Sequence, residues 1–115
     1  MKKNYYIQFL NLLKALEQTS PHPEIDVTSK LLLDEIAIGV AKDELLTVSD
    51  VMGLKHIGSP ATLHRKLNVL IEAHMVDPIF QGHNRRTKYI ALTKEGESYF
   101  HRLSDAIQMA RPSPR

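Results

Sequence analysis

From Asn4 to about Thr19, apolar residues recur every three or four positions. Tyr6, Phe9, Leu10, Leu13 and Leu16 make one stripe, which Tyr5 and Leu12 widen. That spacing predicts an amphipathic helix. Ser20-Pro21-His22-Pro23 breaks it. Asp26 is placed to cap a second helix running to about Lys42, with Leu32, Leu33, Ile36, Ala37 and Val40 as core positions. Thr47-Val48-Ser49-Asp50 reads as a short extended piece followed by a capped helix start, because Asp50 stands three residues after Thr47. A short third helix would cover about Val48 to Leu54, and Lys55-His56-Ile57-Gly58 forms a turn. Ser59-Pro60 is a strong start signal, since Ser caps and Pro suits the first helical position. The fourth helix, Pro60 to about His74, buries Leu63, Leu67, Leu70 and Ile71. Ala61, Arg65, Asn68 and Glu72 lie opposite that stripe, with Thr62 and His64 on its flanks.

The period then changes from helical to twofold. Val76 to Gln81 and Thr87 to Leu92 read as two strands, joined by the loop Gly82-His83-Asn84-Arg85-Arg86. Pro78 marks the first of them as an edge strand. Thr93 caps a final helix from about Lys94 to Ala110, with Tyr99, Leu103, Ala106, Ile107 and Ala110 on one stripe. Arg111 to Arg115 should fray. The expected class is therefore mainly α with a small β-hairpin (α+β). Two helices joined by a tight turn and followed by a hairpin make a winged helix-turn-helix, here with N- and C-terminal flanking helices. The expected division is a helix over residues 1–20, a winged domain over 26–93, and a helix with a frayed tail over 94–115.

A length of 115 residues suits one domain with a real core. Cys is absent, which removes disulfides, thiolate metal sites and thiol nucleophiles together and fits a cytoplasmic location. The apolar runs, such as Leu31-Leu32-Leu33, are too short to span a membrane. The net charge of +2 hides a split. Residues 1–54 hold five positive groups and eight acids, whereas residues 55–115 hold ten positive groups, including all six Arg, and five acids. Such asymmetry points to nucleic acid.

In a helix-turn-helix, the second helix enters the major groove and offers its N-terminal residues to base edges. Here these are Ser59, Ala61, Thr62, His64, Arg65 and Asn68. Arg reads guanine with two hydrogen bonds, and Asn can read adenine. Ser59 and Thr62, with the open N–H groups of a helix start, suit a phosphate. The wing, with His83, Asn84, Arg85, Arg86 and Lys88, can reach the backbone or the adjacent minor groove. Lys66 sits nearer the core flank and reads as a snorkelling side chain.

Residues Val48 to Thr93 resemble the winged-helix domain of MarR-type bacterial transcription regulators. The resemblance is carried by Leu46-Thr47-Val48-Ser49-Asp50-Val51-Met52, by Gly58-Ser59-Pro60-Ala61-Thr62-Leu63-His64-Arg65-Lys66-Leu67, and by the stretch from Arg85 to Gly96. The last stretch is similar to the family's wing signature: an acid, one or two arginines, a strand, then Leu-Thr-x-x-Gly. The resemblance implies a homodimer, a minor-groove contact by Arg86 with Arg85 second, and a small-molecule effector. Asn84 stands where the family has its acid, so this turn lacks the acid–arginine pair.

Six histidines stand at 22, 56, 64, 74, 83 and 101, with no two spaced as metal ligands on a helix, so no metal site is expected. There is no Gly-x-Ser-x-Gly elbow and no phosphate-cradling glycine loop, which argues against an enzyme, and no cofactor is expected. Five of the seven aromatics lie in the terminal helices. Left bare, the terminal stripes would form a large apolar patch. They are expected to meet their symmetry mates through Tyr5, Tyr6, Phe9, Leu13, Tyr99, Phe100, Leu103 and Ile107. The partners expected are thus double-stranded DNA and a second copy. The alternatives are a winged module that contacts protein instead of DNA, and a ligand-responsive repressor.

Overall fold

The computed structural model describes residues 4–18 and 25–110. The proline-rich break at 20–23 and the tail at 111–115 lie outside the described residues. The elements are α1 (Tyr5–Gln18), α2 (Val27–Ala41), β1 (Leu46–Thr47), α3 (Val48–Met52), α4 (Pro60–Glu72), β2 (Val76–Gln81), β3 (Asn84–Leu92) and α5 (Lys94–Ala110). The chain divides into two compact units: Met1–Pro21 with Ser98–Arg115, and His22–Glu97.

In the unit His22–Glu97, every helix begins on a side chain that satisfies its open N–H groups. Asp26 accepts from the Ser29 backbone N–H at 2.8 Å. Thr47 and Asp50 form a reciprocal capping box at 2.9 Å each way. Ser59 accepts from the Thr62 N–H at 3.2 Å, with Pro60 at the first helical position. Thr93 accepts from the Gly96 N–H at 3.0 Å. The capped helices then bury their apolar faces against one another and the sheet. Leu32, Leu33 and Ile36 of α2, Val51 of α3, Leu63 and Leu70 of α4, and Ile90 of β3 are all fully buried. Of the expected α2 core positions, Ala37 and Val40 are only half-buried.

The sheet has the order β1-β3-β2, antiparallel throughout. Pro78 lies on the edge strand β2, where its missing N–H costs the sheet nothing. The hairpin corrects the sequence reading. The connection is a two-residue turn, Gly82-His83, and β3 starts at Asn84 rather than Thr87. Gln81 pairs with Asn84, and Gly82 takes φ 58°, which glycine adopts without steric cost. Asn84 accepts from the Arg86 N–H at 2.9 Å through its side-chain oxygen and so orders the turn without a charge.

The Leu92-Thr93-x-x-Gly96 sequence has a physical explanation. α4 ends in a turn in which His74 takes φ 58°. The Thr93 hydroxyl donates to the His74 carbonyl at 2.5 Å, and the Thr93 N–H donates to the Met75 carbonyl at 3.1 Å. Gly96 then passes so close to Met75 that a Cβ there would stand 2.2 Å from the carbonyl oxygen. The start of α5 is thereby fastened to the end of α4.

In the other unit, Asn4 caps α1 by accepting from the Ile7 N–H at 3.0 Å. On α5, Ala106 is buried, and the Tyr99 and Phe100 rings meet edge to face with centroids 5.3 Å apart.

Candidate nucleic-acid interface

α4 presents one bare polar face. Leu63, Leu67 and Leu70 turn inward, and Ala61, His64, Arg65 and Asn68 are exposed as a result of the helical period. Arg65 has no carboxylate partner among the described residues. Asn68 Nδ2 lies 3.4 Å from His64 Nδ1, one turn apart on the same face, which aims the Asn68 amide. Ser59 and Thr62 serve the helix first. The Ser59 oxygen caps Thr62, and its hydroxyl donates to Thr62 Oγ1 at 3.1 Å. Only the Thr62 hydroxyl hydrogen is left to donate outward, and Thr62 itself is half-buried.

Lys66 points away from this face and pairs with Asp26 at the start of α2. The hydrogen bond from Lys66, then that from the Ser29 backbone N–H, holds the Asp26 carboxyl down at about 2. Its cation is therefore occupied inside the domain, tying α4 to α2. At the turn before α4, His56 Nε2 lies 3.3 Å from Glu35 Oε1 of α2, a second tie between the same regions.

The wing is irregular at one place. Ile79 pairs with Tyr89, and Gln81 pairs with Asn84, so Phe80 alone on β2 faces Arg85, Arg86, Thr87 and Lys88 on β3. A regular strand sends alternate residues to opposite faces. The extra residues in β3 break that alternation, as a bulge does. All four residues of the bulged run consequently line one cleft of 390 Å³. The Arg85 guanidinium carbon sits 5.5 Å from the Phe80 ring centroid, and the Lys88 ammonium 5.8 Å from it. The wing residues His83, Asn84, Arg85, Arg86 and Lys88 are all exposed. The cleft is also lined by Thr47, Val48 and Ser49 at the β1–α3 junction. Phe80, Thr47, Ser49 and Thr87 escaped the sequence reading. Phe80 just before a basic run was the one local cue. Nothing local places residues 47–49 beside 85–88.

The terminal helices carry the expected aromatic stripe in partly exposed form. Tyr5 and Tyr6 are 55% and 67% exposed, and Ile107 44%. Phe9, Leu13, Tyr99, Phe100 and Leu103 are half-buried. Leu10, on the expected stripe, is exposed as well, and Ile7 and Met109 extend the exposed apolar surface beyond that stripe. Among the described residues no group of three His, Asp or Glu side chains is placed to hold a metal ion, and no helix is long and apolar enough to cross a membrane.

A short helix, a turn, a longer helix with a bare polar face, and a hairpin on a three-stranded antiparallel sheet together make a winged helix. Two solved structures share this fold. One is RV1404 from Mycobacterium tuberculosis, with a TM-score of 0.61 at 16% identity, covering 95% of this chain and 77% of that one. The other is disulfide-formed AbfR, with a TM-score of 0.51 at 19% identity, covering 93% of this chain and 73% of that one. The protein is thus similar to both in fold. No protein-family model matches the sequence, and no curated protein does.

Proposed function

We propose that this protein is a MarR-type transcription regulator that binds double-stranded DNA in a sequence-specific manner as a cytoplasmic homodimer. The observation that carries the reading is the pairing of two features in one unit. α4 offers Ala61, His64, Arg65 and Asn68 on one face, whose side chains have no partner among the described residues other than the His64–Asn68 contact. The wing offers Arg85, Arg86 and Lys88, none with a carboxylate partner among the described residues. In this reading α4 enters the major groove, and Arg65 reads guanine. His64 holds one Asn68 N–H, which leaves the other N–H and the carbonyl oxygen for the edge of adenine. Ser59 and Thr62 flank a phosphate at the helix start. The wing, from His83 through Lys88, lies on the backbone or in the minor groove.

The terminal helices support the dimer. Their exposed tyrosines and aliphatic side chains form the kind of surface that a second copy covers. Two-fold symmetry then sets the two α4 helices about one DNA turn, roughly 34 Å, apart. Selection of binding sites from random duplexes tests both parts at once. The expected product is a palindrome bound with steep salt dependence. A protein that shifts no duplex at low salt refutes the reading.

A further inference from the structure

We propose that the cleft between the bulged wing and the β1–α3 junction seats one phosphate group of the duplex backbone, in addition to any groove contact made by the tip of the wing. The inference rests on the DNA-binding reading above and assigns to it a second wall that the wing alone does not possess.

The chemistry of the cleft is that of an oxyanion site. Three cations, Arg85, Arg86 and Lys88, enter it from one strand. They do so because one residue of β2 faces four of β3 there; a regular strand would have sent two of the four lining residues to the far side of the sheet. No carboxylate among the described residues neutralises any of the three. Phe80 forms a partly apolar floor against which the Arg85 and Lys88 head groups rest at 5.5 and 5.8 Å, so these long side chains are held over the cleft. Other lining residues add hydroxyls. Thr47 Oγ1 accepts from the Asp50 N–H, which leaves its own hydrogen to donate. Ser49 and Thr87 add two more hydroxyl groups. Guanidinium, ammonium and hydroxyl donors on residues that line one cleft match the acceptors of a phosphate. A volume of 390 Å³ is enough to hold a phosphate group.

A phosphate can come from the duplex or from a free phosphate compound, and the experiment separates them. The full chain is titrated with its selected duplex and with duplexes carrying a single neutral methylphosphonate at each backbone position in turn. The parent is compared with Ser49→Ala and Lys88→Gln, both changes at exposed positions. One backbone position in each half-site should cost the parent about tenfold in affinity. Lys88→Gln should cost about as much on the unmodified duplex, lower the salt slope by about one unit, and lose nothing further when that phosphate is neutral. Ser49→Ala should lose affinity equally on selected and unselected duplexes. Losses from Lys88→Gln and methylphosphonate that multiply at every position would overturn the proposal. In a second arm, inorganic phosphate is added to the duplex-free protein while the Ser49, Thr87 and Lys88 amides are followed by NMR. Saturating shifts there without the coupled loss on duplexes would overturn the backbone assignment in favour of a free phosphate ligand. A parent that binds no duplex at all refutes the DNA-binding reading itself, an outcome distinct from a parent that binds without the coupled loss.

Discussion

Replacing Gly96 with Ala should destabilise the protein, although helix propensity alone predicts the opposite. Gly96 lies in the first turn of α5, where Ala would be favoured by about 1 kcal/mol. The new Cβ would stand 2.2 Å from the Met75 carbonyl oxygen, and such atoms essentially never approach within 3.0 Å, so the two backbones must separate by at least 0.8 Å. The obstacle is backbone on both sides, with no flexible side chain to give way. Overpacking of this kind costs about 1–3 kcal/mol. Separation also strains two hydrogen bonds across the same contact, Thr93 N–H to the Met75 carbonyl and the Thr93 hydroxyl to the His74 carbonyl. Each is worth about 1 kcal/mol. Against the propensity gain, the net loss is about 2–4 kcal/mol, which lowers the melting temperature by about 10 °C or more in a domain of this size. Thermal and urea unfolding followed by circular dichroism measure it. A variant that melts at or above the parent temperature would show that α5 is not fastened to the end of α4 as described.

Three further outcomes are expected. Arg65→Ala should cost about 1–3 kcal/mol on a selected site and relax base preference at one position, whereas Arg86→Ala should weaken all duplexes and lower the salt slope by about one unit; anisotropy titrations at several salt concentrations separate the two, and parent-like binding by both would remove these roles. The Asp26 carboxyl is held at about 2 against 3.8 for a free side chain, so its ionised form stabilises the fold above about 3.8, and that contribution is lost as pH falls through about 2. Acid unfolding of the parent should therefore steepen in that window relative to Asp26→Asn, and superimposable pH profiles would contradict the Lys66–Asp26 tie. In sedimentation at micromolar concentration the chain should run at twice its 13.1 kDa mass, and Tyr6→Glu with Ile107→Glu should return it to a single-chain species; a parent already at 13.1 kDa would discard the dimer.

Periodicity and capping chemistry are enough to read the helices. The Thr47–Asp50 box, the Ser59-Pro60 start and the Thr93 cap all act within three residues of themselves, so their geometry is local and visible in the letters. The bare face of α4 was legible for the same reason, because a helix of known phase sorts Leu63, Leu67 and Leu70 from Arg65 and Asn68 without help from the rest of the chain. Helical phase puts Lys66 on the flank of α4, but its partner Asp26 stands forty positions earlier, a pairing that only the packing of α4 on α2 creates. The wing shows the limit most clearly. A run of Gly, His, Asn and two Arg looks like a loop, and its local composition allows one. The pairing of Gln81 with Asn84 shortened that loop to two residues, and the mismatch opposite Phe80 turned four consecutive residues toward one cleft. Strand register and bulges are set by the partner strand and the sheet, which the sequence of the wing does not contain. Local spacing determined which helices form and which side chains they bare. The tertiary structure decided which distant groups share a site, because residues 47–49 and 85–88 meet only once β1 has paired with β3.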